Sequence, residues 1–320
     1  MKNVTVLGAG HWGLALAHVL ASNKHNVLVY GRNEQDMNQI NQIHKSKYFK
    51  DKILDLNIKA TSNILEAFDF SDIIVIALPV TTIISNLKDL VLKNTNKTYL
   101  FTSKGLFNGK SMSLNFNDLA KNLNLAVLSG PSFSEEVMDN KYTAVVIASN
   151  KDEIALNLQK LFMNDFFRVY TSNDLVGVEY CGAIKNVFAI VCGMIDGNNM
   201  GANTKNAMIT RAMSEMEHVI NLVGGNIKTL HGLAGVGDIM LTCNSFESRN
   251  YSFGFNYARN TENQNNGIIE GLNTIKEIYQ IAKENNLELP IVNAVYNILV
   301  NKSTIDKEAK ILMGRNMKSE

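Results

Sequence analysis

The first half of the chain alternates short apolar runs with segments of helical periodicity. The apolar runs read NVTVLG, NVLVYG, DIIVIALP, TYLFTS, LAVLSG, TAVVIAS and FFRVYTS. Apolar residues spaced at a period near 3.6 predict helices between several of these runs, over residues 11–23, 34–44, 82–93 and 151–162. Strands that alternate with helices form right-handed crossovers, so this half predicts an α/β, doubly wound, mostly parallel sheet.

The pattern changes after about residue 175, where strand-like runs give way to long helical segments. Helical periodicity covers residues 178–194, 207–223, 271–285 and 291–300. Pro290 fits the first turn of the last of these helices. We therefore expect two domains, an α/β domain over residues 1–175 and an all-α domain over residues 176–320.

Composition and charge narrow the class of protein. The chain has 320 residues, of which 46% are hydrophobic and 19% charged, which is ordinary for a folded protein with two cores. The net charge is +1, so no global field favours nucleic acid or an acidic membrane surface. An anionic ligand must therefore be held by a local site, and a small-molecule substrate is the expected partner.

Three cysteines are an odd number and do not resemble a disulfide framework, which favours a reducing compartment. The start MKNVTVLGAG lacks the features of a signal peptide, and the apolar runs are too short or too often interrupted by charge to predict a membrane span. We expect a cytoplasmic protein. The six histidines lack metal-ligand spacing, so no metal site is expected.

A glycine loop lies between the first predicted strand and the first predicted helix. Gly8, Gly10 and Gly13 have GxGxxG spacing in VTVLGAGHWGLALA. In this context the first glycine permits a tight turn, the second lets backbone approach a pyrophosphate, and the third lets helix pack on strand. The motif predicts a Rossmann-like dinucleotide-binding domain. Glycines that serve only the turn are the alternative.

The end of the second strand bears on which dinucleotide binds. An NAD site usually has an acid there for the ribose 2′-hydroxyl, whereas an arginine can accommodate a 2′-phosphate. This chain has Tyr30, Gly31 and Arg32, without an acid. We expect NADP or NAD as cofactor, with NADP accepted through Arg32; an arginine that is merely exposed is the alternative.

The helix predicted over residues 178–194 carries a lysine on an apolar face. Cys181, Phe188 and Ala189 lie three or four positions from Lys185. Burying an unpaired ammonium is costly, so such a lysine is usually paired or has a lowered pKa. The alternative is a lysine whose stem packs while its head reaches water.

Four further stretches place polar residues where a strand ends or a helix begins. They are TSKGL with Lys104, SGPSFSEE with Gly130, Ser132 and Ser134, AGVGD with Asp238, and SRN with Ser248, Arg249 and Asn250. Each alone is also explained by ordinary turns and caps.

Together these stretches resemble one family in residue identity and in order. The chain resembles the bacterial-type NAD(P)-dependent glycerol-3-phosphate dehydrogenases, and the resemblance runs from Val4 to about Arg315. The matching stretches include GAGHWGLALA, TSKGL, SGPSF, GAIKNVFAI, LAGVGDIMLTC, SRN, EG, LPI and LMGR. The run from Gly182 to Arg211 is the most specific. Glycine loops recur in unrelated dehydrogenases, whereas this lysine-bearing helix does not.

The resemblance implies an activity and a set of site residues. It implies interconversion of sn-glycerol 3-phosphate and dihydroxyacetone phosphate, which supplies glycerol 3-phosphate for phospholipid synthesis, and a homodimer. Lys185 would be the general acid/base with Lys104 and Asp238 beside it. The implied substrate contacts are Lys104, Gly130, Ser132, Lys185, Asp238, Ser248, Arg249 and Asn250. The implied cofactor contacts are Gly8, Gly10, His11, Trp12, Gly13, Arg32, Lys104, Ser134, Arg249 and Glu270.

The chain departs from the family pattern at three places. Tyr251 and Ser252 follow SRN where the family often has a basic residue, which weakens the local positive field. His11 stands where serine is frequent, and GPSFS replaces the frequent GPTFA.

The chemistry of ketone reduction agrees with these roles. Negative charge develops on the carbonyl oxygen, and a cationic donor there stabilises the charge and delivers the proton. Two alternatives remain: a related two-domain hydroxyacid dehydrogenase with a carboxylate site, and a dinucleotide-binding protein without turnover. The second would be expected to lack Lys185 or Asp238.

Overall fold

A computed structural model describes residues 1–262 and 267–317 and divides into two compact units. The first unit comprises Met1–Ser103 and Met112–Leu175, and the second comprises Lys104–Ser111 and Val176–Glu320. The segment Lys104–Ser111 therefore clusters with the helical unit, although its neighbours in sequence on both sides belong to the first unit.

The first unit contains a single eight-stranded sheet within the described residues. Its strands are β1 Asn3–Leu7, β2 Asn26–Tyr30, β3 Ile58–Thr61, β4 Ile73–Ile76, β5 Thr98–Phe101, β6 Asn124–Ser129, β7 Thr143–Ala148 and β8 Phe167–Ser172. Their order is β3-β2-β1-β4-β5-β6-β7-β8. All neighbouring strands are parallel except β6 and β7, so the predicted doubly wound, mostly parallel sheet is confirmed.

Seven helices accompany this sheet within the described residues. They are α1 His11–Ser22, α2 Glu34–Ile43, α3 Ile64–Phe70, α4 Val80–Lys93, α5 Met112–Leu119, α6 Ser134–Met138 and α7 Asp152–Phe162. The buried core joins the strands to α1, whose Leu14, Leu16 and Leu20 have no exposed surface. The chain adds β2 and β3 on one side of β1 and β4 on the other, so the order of strand addition reverses at β1, and loops at such a point commonly bind ligands.

In the second unit, the described part that follows Leu175 is built of helices and their connections, as the sequence predicted. Its helices are α8 Leu175–Gly197, α9 Ala202–Leu222, α10 Ile227–Leu230, α11 Asp238–Thr242, α12 Arg249–Ala258, α13 Glu270–Glu284, α14 Pro290–Leu299 and α15 Ile305–Met313. A π-helical turn over Leu233–Gly237 leads directly into α11. Pro290 occupies the first turn of α14, as expected.

Helix α8 is the centre of this unit. One apolar stretch in the described part of the chain is long enough to cross a membrane, and it is α8, but 94% of that stretch is buried inside the protein. Glycines bring α12 against it: a Cβ on Gly193 would lie 2.0 Å from the carbonyl oxygen of Tyr251, and one on Gly254 would lie 2.0 Å from that of Ile190. The backbones of α8 and α12 are therefore in direct contact, which fixes the start of α12 relative to α8.

A buried carboxylate joins α9 to α14. Glu215 accepts hydrogen bonds from the backbone N–H groups of Ile291 at 2.6 Å and Val292 at 3.1 Å. These N–H groups belong to the first turn of α14, where no backbone acceptor exists within the helix. Burial raises the pKa of Glu215 to about 7, although the two N–H groups favour its ionised form.

Candidate functional site

The glycine loop lies between β1 and α1, where the sequence placed it. Gly8 has φ +122°, and a Cβ there would lie 2.6 Å from the carbonyl oxygen of Ala77. A Cβ on Gly13 would lie 1.8 Å from the carbonyl oxygen of Gly8, so only glycine lets α1 pack this close to the loop. Gly10 differs, because among residues 1–262 and 267–317 no heavy atom is within 4 Å of its Cβ position.

The start of α1 suits a phosphate. Gly10 is its N-cap in an extended conformation, the first turn carries no acidic residue, and no side chain in the described part of the chain caps it. The first backbone N–H groups of a helix lack partners within the helix and carry a partial positive charge. The residues present therefore fit a dinucleotide pyrophosphate.

Three other residues expected at the cofactor in this unit follow the carboxyl ends of β1 and β2. His11 begins α1, is exposed, and packs its ring against Tyr48 and Phe49 with centroids 4.8 and 5.5 Å away. Trp12 is half-buried beside the core. Arg32 follows β2 and is exposed, which suits both a 2′-phosphate contact and the alternative of a solvated arginine.

The stretch SGPSF connects β6 to α6. Gly130 has φ +134°, and a Cβ there would lie 3.0 Å from Cα of Val145, so the position requires glycine. The hydroxyl of Ser132 donates to the carbonyl oxygen of Gly130 at 3.1 Å. Ser134 begins α6 and is half-buried.

In the second unit, two lysines converge on one carboxylate. Nζ of Lys185 lies 2.5 Å from Oδ1 of Asp238, and Nζ of Lys104 lies 2.6 Å from Oδ2. The exposed fractions of the side chains are 6% for Lys185, 1% for Asp238 and 18% for Lys104. The ammonium of Lys185 thus does not reach bulk water, and the alternative of a snorkelling lysine is wrong.

The charges of this cluster set its proton affinities. The pKa of Lys185 is lowered to about 8, chiefly by burial; Asp238 opposes this shift and the charge of Lys104 adds to it. Burial alone would raise the pKa of Asp238, but the two ammonium groups outweigh burial and hold it below its usual range. When all three groups are ionised, the cluster carries one excess positive charge.

A threonine and an asparagine complete the cluster, and the sequence reasoning gave neither a role. Lys185 donates to Oγ1 of Thr242 at 2.7 Å, and Thr242 lies one helical turn after Asp238 on α11. Asn186 donates through Nδ2 to the carbonyl oxygen of Lys104 and to Oε2 of Glu270, both at 3.3 Å. The i, i+4 spacing from Asp238 was the one sequence signal for Thr242.

Asp238 reaches Lys185 through the π-helical turn. The sequence suggested a glycine-rich turn here, and in this turn the N–H of Gly237 donates to the carbonyl oxygen of Gly232, five residues earlier, at 3.2 Å. Gly235 makes this possible, because a Cβ there would lie 2.0 Å from the carbonyl oxygen of Leu230. Functional sites often contain such π-helical turns.

The SRN stretch forms the beginning of α12. Ser248 is the N-cap and accepts a hydrogen bond from the N–H of Tyr251 at 3.3 Å. Oδ1 of Asn250 accepts from the N–H of Gly271 at 2.9 Å, which joins α12 to α13. Arg249 is exposed, lies against Gly267, and is close enough to Glu270 to lower its pKa, although burial raises that pKa overall.

Sequence comparison assigns both halves of the chain to one family. The profile of the NAD-dependent glycerol-3-phosphate dehydrogenase N-terminus matches residues 3–155, and that of the C-terminus matches residues 174–310. The chain belongs to the NAD-dependent glycerol-3-phosphate dehydrogenase family. The resemblance identified from the motifs is thereby confirmed.

Individual members of the glycerol-3-phosphate dehydrogenase family match over their whole length. A relative from Staphylococcus haemolyticus, named glycerol-3-phosphate dehydrogenase [NAD(P)+], is 40% identical, with 100% of each chain covered. The crystal structure of glycerol-3-phosphate dehydrogenase from Coxiella burnetii superposes with a TM-score of 0.90 at 30% identity, covering 98% of this chain and 99% of that chain.

A hydroxyacid dehydrogenase is more distant. The structure of D-mandelate dehydrogenase with NADH superposes with a TM-score of 0.62 at 13% identity, covering 94% of this chain and 98% of that chain. This likeness extends to the fold alone. The hydroxyacid alternative is therefore not favoured over membership of the glycerol-3-phosphate dehydrogenase family.

Proposed function

We propose that this chain is an NAD(P)-dependent oxidoreductase that interconverts sn-glycerol 3-phosphate and dihydroxyacetone phosphate. The observation that carries the proposal is the buried ammonium of Lys185, held by Asp238 beside a second cation, in a member of this family. A nicotinamide dinucleotide supplies or accepts the hydride when it is bound. The remaining steps concern the chain's own residues.

Lys185 is the proposed general acid in ketone reduction. Its ammonium donates a proton to the carbonyl oxygen of dihydroxyacetone phosphate as negative charge develops there. In the reverse direction neutral Lys185 takes the hydroxyl proton of glycerol 3-phosphate. Because burial and the neighbouring charges together bring its pKa to about 8, both forms are accessible near neutral pH.

Lys104 and Asp238 tune and orient Lys185 in this proposal. The carboxylate fixes the direction of the ammonium by a charge-assisted hydrogen bond. Lys104 keeps the cluster at one excess positive charge, which suits the phosphate of the substrate and the developing oxyanion.

The phosphate of the substrate needs its own donors. The guanidinium of Arg249 is the proposed source of charge-assisted hydrogen bonds to this phosphate. Its neighbours in sequence, Asn250 and Ser248, would add an amide and a hydroxyl as further donors. Gly130 and Ser132 are the proposed substrate contacts of the first unit. Since Ser248 caps α12, its hydroxyl serves the helix as well as the proposed contact.

The proposed dinucleotide contacts come from both units. Those of the first unit are Gly8, Gly10, His11, Trp12, Gly13, Arg32 and Ser134, and those of the second are Lys104, Arg249 and Glu270. We propose that Arg32 lets the enzyme accept NADP as well as NAD, since an acid is missing at the end of β2.

We also propose the setting in which the enzyme works. Residues 1–175 would form the dinucleotide-binding domain and residues 176–320 the substrate domain of a cytoplasmic homodimer. Its product glycerol 3-phosphate would supply phospholipid synthesis.

An absorbance assay at the nicotinamide band tests the activity. Purified protein is incubated with NADPH or NADH and with dihydroxyacetone phosphate, or with a panel of 2-oxo acids at the same concentration. We expect oxidation of the cofactor with dihydroxyacetone phosphate, and rates with NADPH at least comparable to those with NADH. Turnover of a 2-oxo acid without turnover of the phosphate ester would refute the proposed substrate, and a strong NADH preference would refute the role of Arg32.

A further inference from the structure

The segment that carries Lys104 ends in a tight turn attached to two helices of the second unit. Phe107 and Lys110 exchange backbone hydrogen bonds at 2.9 and 3.1 Å across Asn108 and Gly109. Both central residues have positive φ, +50° for Asn108 and +71° for Gly109. Asn-Gly is the sequence that favours such a two-residue turn.

Both peptide groups of Gly109 are held by side chains. The hydroxyl of Tyr180 on α8 donates to the carbonyl oxygen of Gly109 at 2.7 Å. The N–H of Gly109 donates to Oε2 of Glu277 on α13 at 2.5 Å. A third contact lies at the other end of the segment, where Asn186 donates to the carbonyl oxygen of Lys104.

One anchor comes from α8, which also carries Lys185, and the other comes from α13, whose Glu270 accepts a hydrogen bond from Asn186. Tyr180 precedes Lys185 on α8 and is only 1% exposed, so its hydroxyl is directed at Gly109 from within the core. Glu277 lies two turns after Glu270 on α13, and Glu270 accepts from Asn186. The turn is thus fixed to α8, which presents Lys185 and Asn186, and to α13, which contacts Asn186 through Glu270.

From these contacts we propose that Tyr180 and Glu277 are positioning residues that hold the Asn108–Gly109 turn and thereby keep Lys104 at Asp238. Neither residue is placed at the reacting atoms. Their effect passes through Lys104, whose charge at the cluster they maintain. The catalytic part of this inference rests on the proposed function, whereas the anchoring does not.

The variants remove one anchor at a time. Tyr180→Phe deletes the hydroxyl and keeps the ring in the core, and Glu277→Ala deletes the acceptor. Tyr257→Phe is the matched control, because Tyr257 also donates to a backbone carbonyl in this unit, that of Ile298 at 3.1 Å. Glu277→Gln retains an oxygen acceptor and serves as the conservative variant.

Hydrogen–deuterium exchange tests the anchoring without turnover. We expect faster amide exchange over residues 104–111 in Tyr180→Phe and Glu277→Ala, an intermediate rate in Glu277→Gln, and the wild-type rate in Tyr257→Phe. Unchanged exchange in both anchor variants would overturn the proposal, whatever the substrate of the enzyme. If Tyr180→Phe does not fold, the pair of Glu277 variants decides the question.

Kinetics test whether the anchors act through Lys104. We expect kcat/KM for dihydroxyacetone phosphate to fall about 3- to 10-fold in Tyr180→Phe, the size of one lost hydrogen bond. In Tyr180→Phe the midpoint of the pH profile of kcat/KM should also move to higher pH, as it should in Lys104→Met. In both variants less positive charge lies near Lys185, so its pKa rises. The double variant Lys104→Met/Tyr180→Phe should equal Lys104→Met.

The outcomes separate positioning from general stability. Two results would show that Tyr180 does not act through Lys104. One is a fall in kcat/KM with an unchanged pH profile; the other is a double variant whose loss of kcat/KM equals the sum, in free energy, of the losses in the two single variants. A wild-type enzyme inactive on dihydroxyacetone phosphate would refute the proposed function, and exchange over residues 104–111 would then still decide whether Tyr180 and Glu277 hold the turn.

Discussion

The ammonium of Lys185 has almost no contact with water, and its partners are a carboxylate, a hydroxyl and a neighbouring cation. Asp238 is paired with both Lys185 and Lys104. Burial raises the pKa of Glu270, a further carboxylate, while the charges of Arg249, Lys104 and Lys185 lower it. Buried charges persist in proteins when they are paired, so this cluster holds the ammonium of Lys185 in place away from water.

Lys185→Ala should abolish turnover while leaving the nucleotide site intact. The variant keeps the Lys104–Asp238 pair, so the fold should survive, but the proton donor is lost. We expect kcat to fall on the order of 10²- to 10⁴-fold, measured by nicotinamide absorbance. Fluorescence titration should give an unchanged Kd for NADPH, and an active variant would contradict the assignment.

The pH dependence should differ in sign between the two directions. Ketone reduction needs protonated Lys185, so kcat/KM should fall as the pH rises through about 8. Oxidation of glycerol 3-phosphate needs the neutral amine, so its rate should rise through the same pH. Initial rates between pH 6 and pH 10 would measure both limbs, and Lys104→Met should move both upward.

The residues themselves pointed to Lys185, the family resemblance implied Lys104 and Asp238 beside it, and the part that neither predicted has a physical reason. Lys185 is conspicuous because helical spacing places a charge among apolar residues. Thr242 had one signal, its i, i+4 spacing from Asp238, whereas nothing in the pattern around Asn186 showed that it contacts Lys104 and Glu270. Their roles depend on contacts between distant segments, which periodicity does not encode.

At the scale of elements, alanine substitutions at two glycines of the glycine loop should have different effects on stability. Gly13→Ala puts a Cβ 1.8 Å from a backbone oxygen and must displace α1, whereas the Cβ of Gly10→Ala meets no atom of the described residues within 4 Å. We expect Gly13→Ala to lower the free energy of unfolding by about 1–3 kcal/mol, the usual cost of overpacking.

Gly10→Ala should leave stability nearly unchanged and weaken dinucleotide binding, because its methyl group occupies the space in front of the helix N-terminus. Thermal unfolding and NADPH titration of both variants measure the two effects. Wild-type affinity in Gly10→Ala would remove this loop from the pyrophosphate site.

The link between α9 and α14 should depend on pH. The pKa of Glu215 is about 7 in the folded protein and near 4.5 when unfolded. Between pH 4.5 and pH 7 this carboxyl is therefore protonated in the folded state and ionised in the unfolded state. Its contribution to stability is therefore fully present below pH 4.5 and is lost as the pH rises through 7. Relative to Glu215→Gln, the wild type should lose at most about 3 kcal/mol over this range.

Urea unfolding of wild type and Glu215→Gln at several pH values between 4.5 and 8 measures this difference. The other titrating groups cancel in the comparison. A difference in unfolding free energy that does not vary with pH would contradict the raised pKa.

Most elements followed from apolar periodicity, and two that did not, β3 and α12, have weak patterns. β3 is a four-residue strand, IKAT, with a lysine in it, too short and too polar to be distinguished from a loop. α12 reads RNYSFGFNYA, with a glycine and several aromatic residues that lower helical propensity. Its helical form is supported by packing on α8 through Gly193 and Gly254, a tertiary effect.

At the scale of the whole molecule, the proposed homodimer is open to direct measurement. Sedimentation equilibrium should give twice the chain mass of 35.5 kDa, independent of NADPH. A mass equal to that of one chain throughout the micromolar range would refute the dimer.

The assignment of Lys104–Ser111 to the helical unit limits how this enzyme can be divided into fragments. In the sequence Lys104 lies between β5 and β6 of the sheet, but its side chain belongs to a cluster whose other residues all follow residue 176. A fragment beginning at Val176 would lack one of its two cations. A chimaera with another dehydrogenase would therefore have to exchange residues 104–111 together with the C-terminal half. A single crossover near residue 175 would instead combine Lys104 of one enzyme with the Asp238 position of the other.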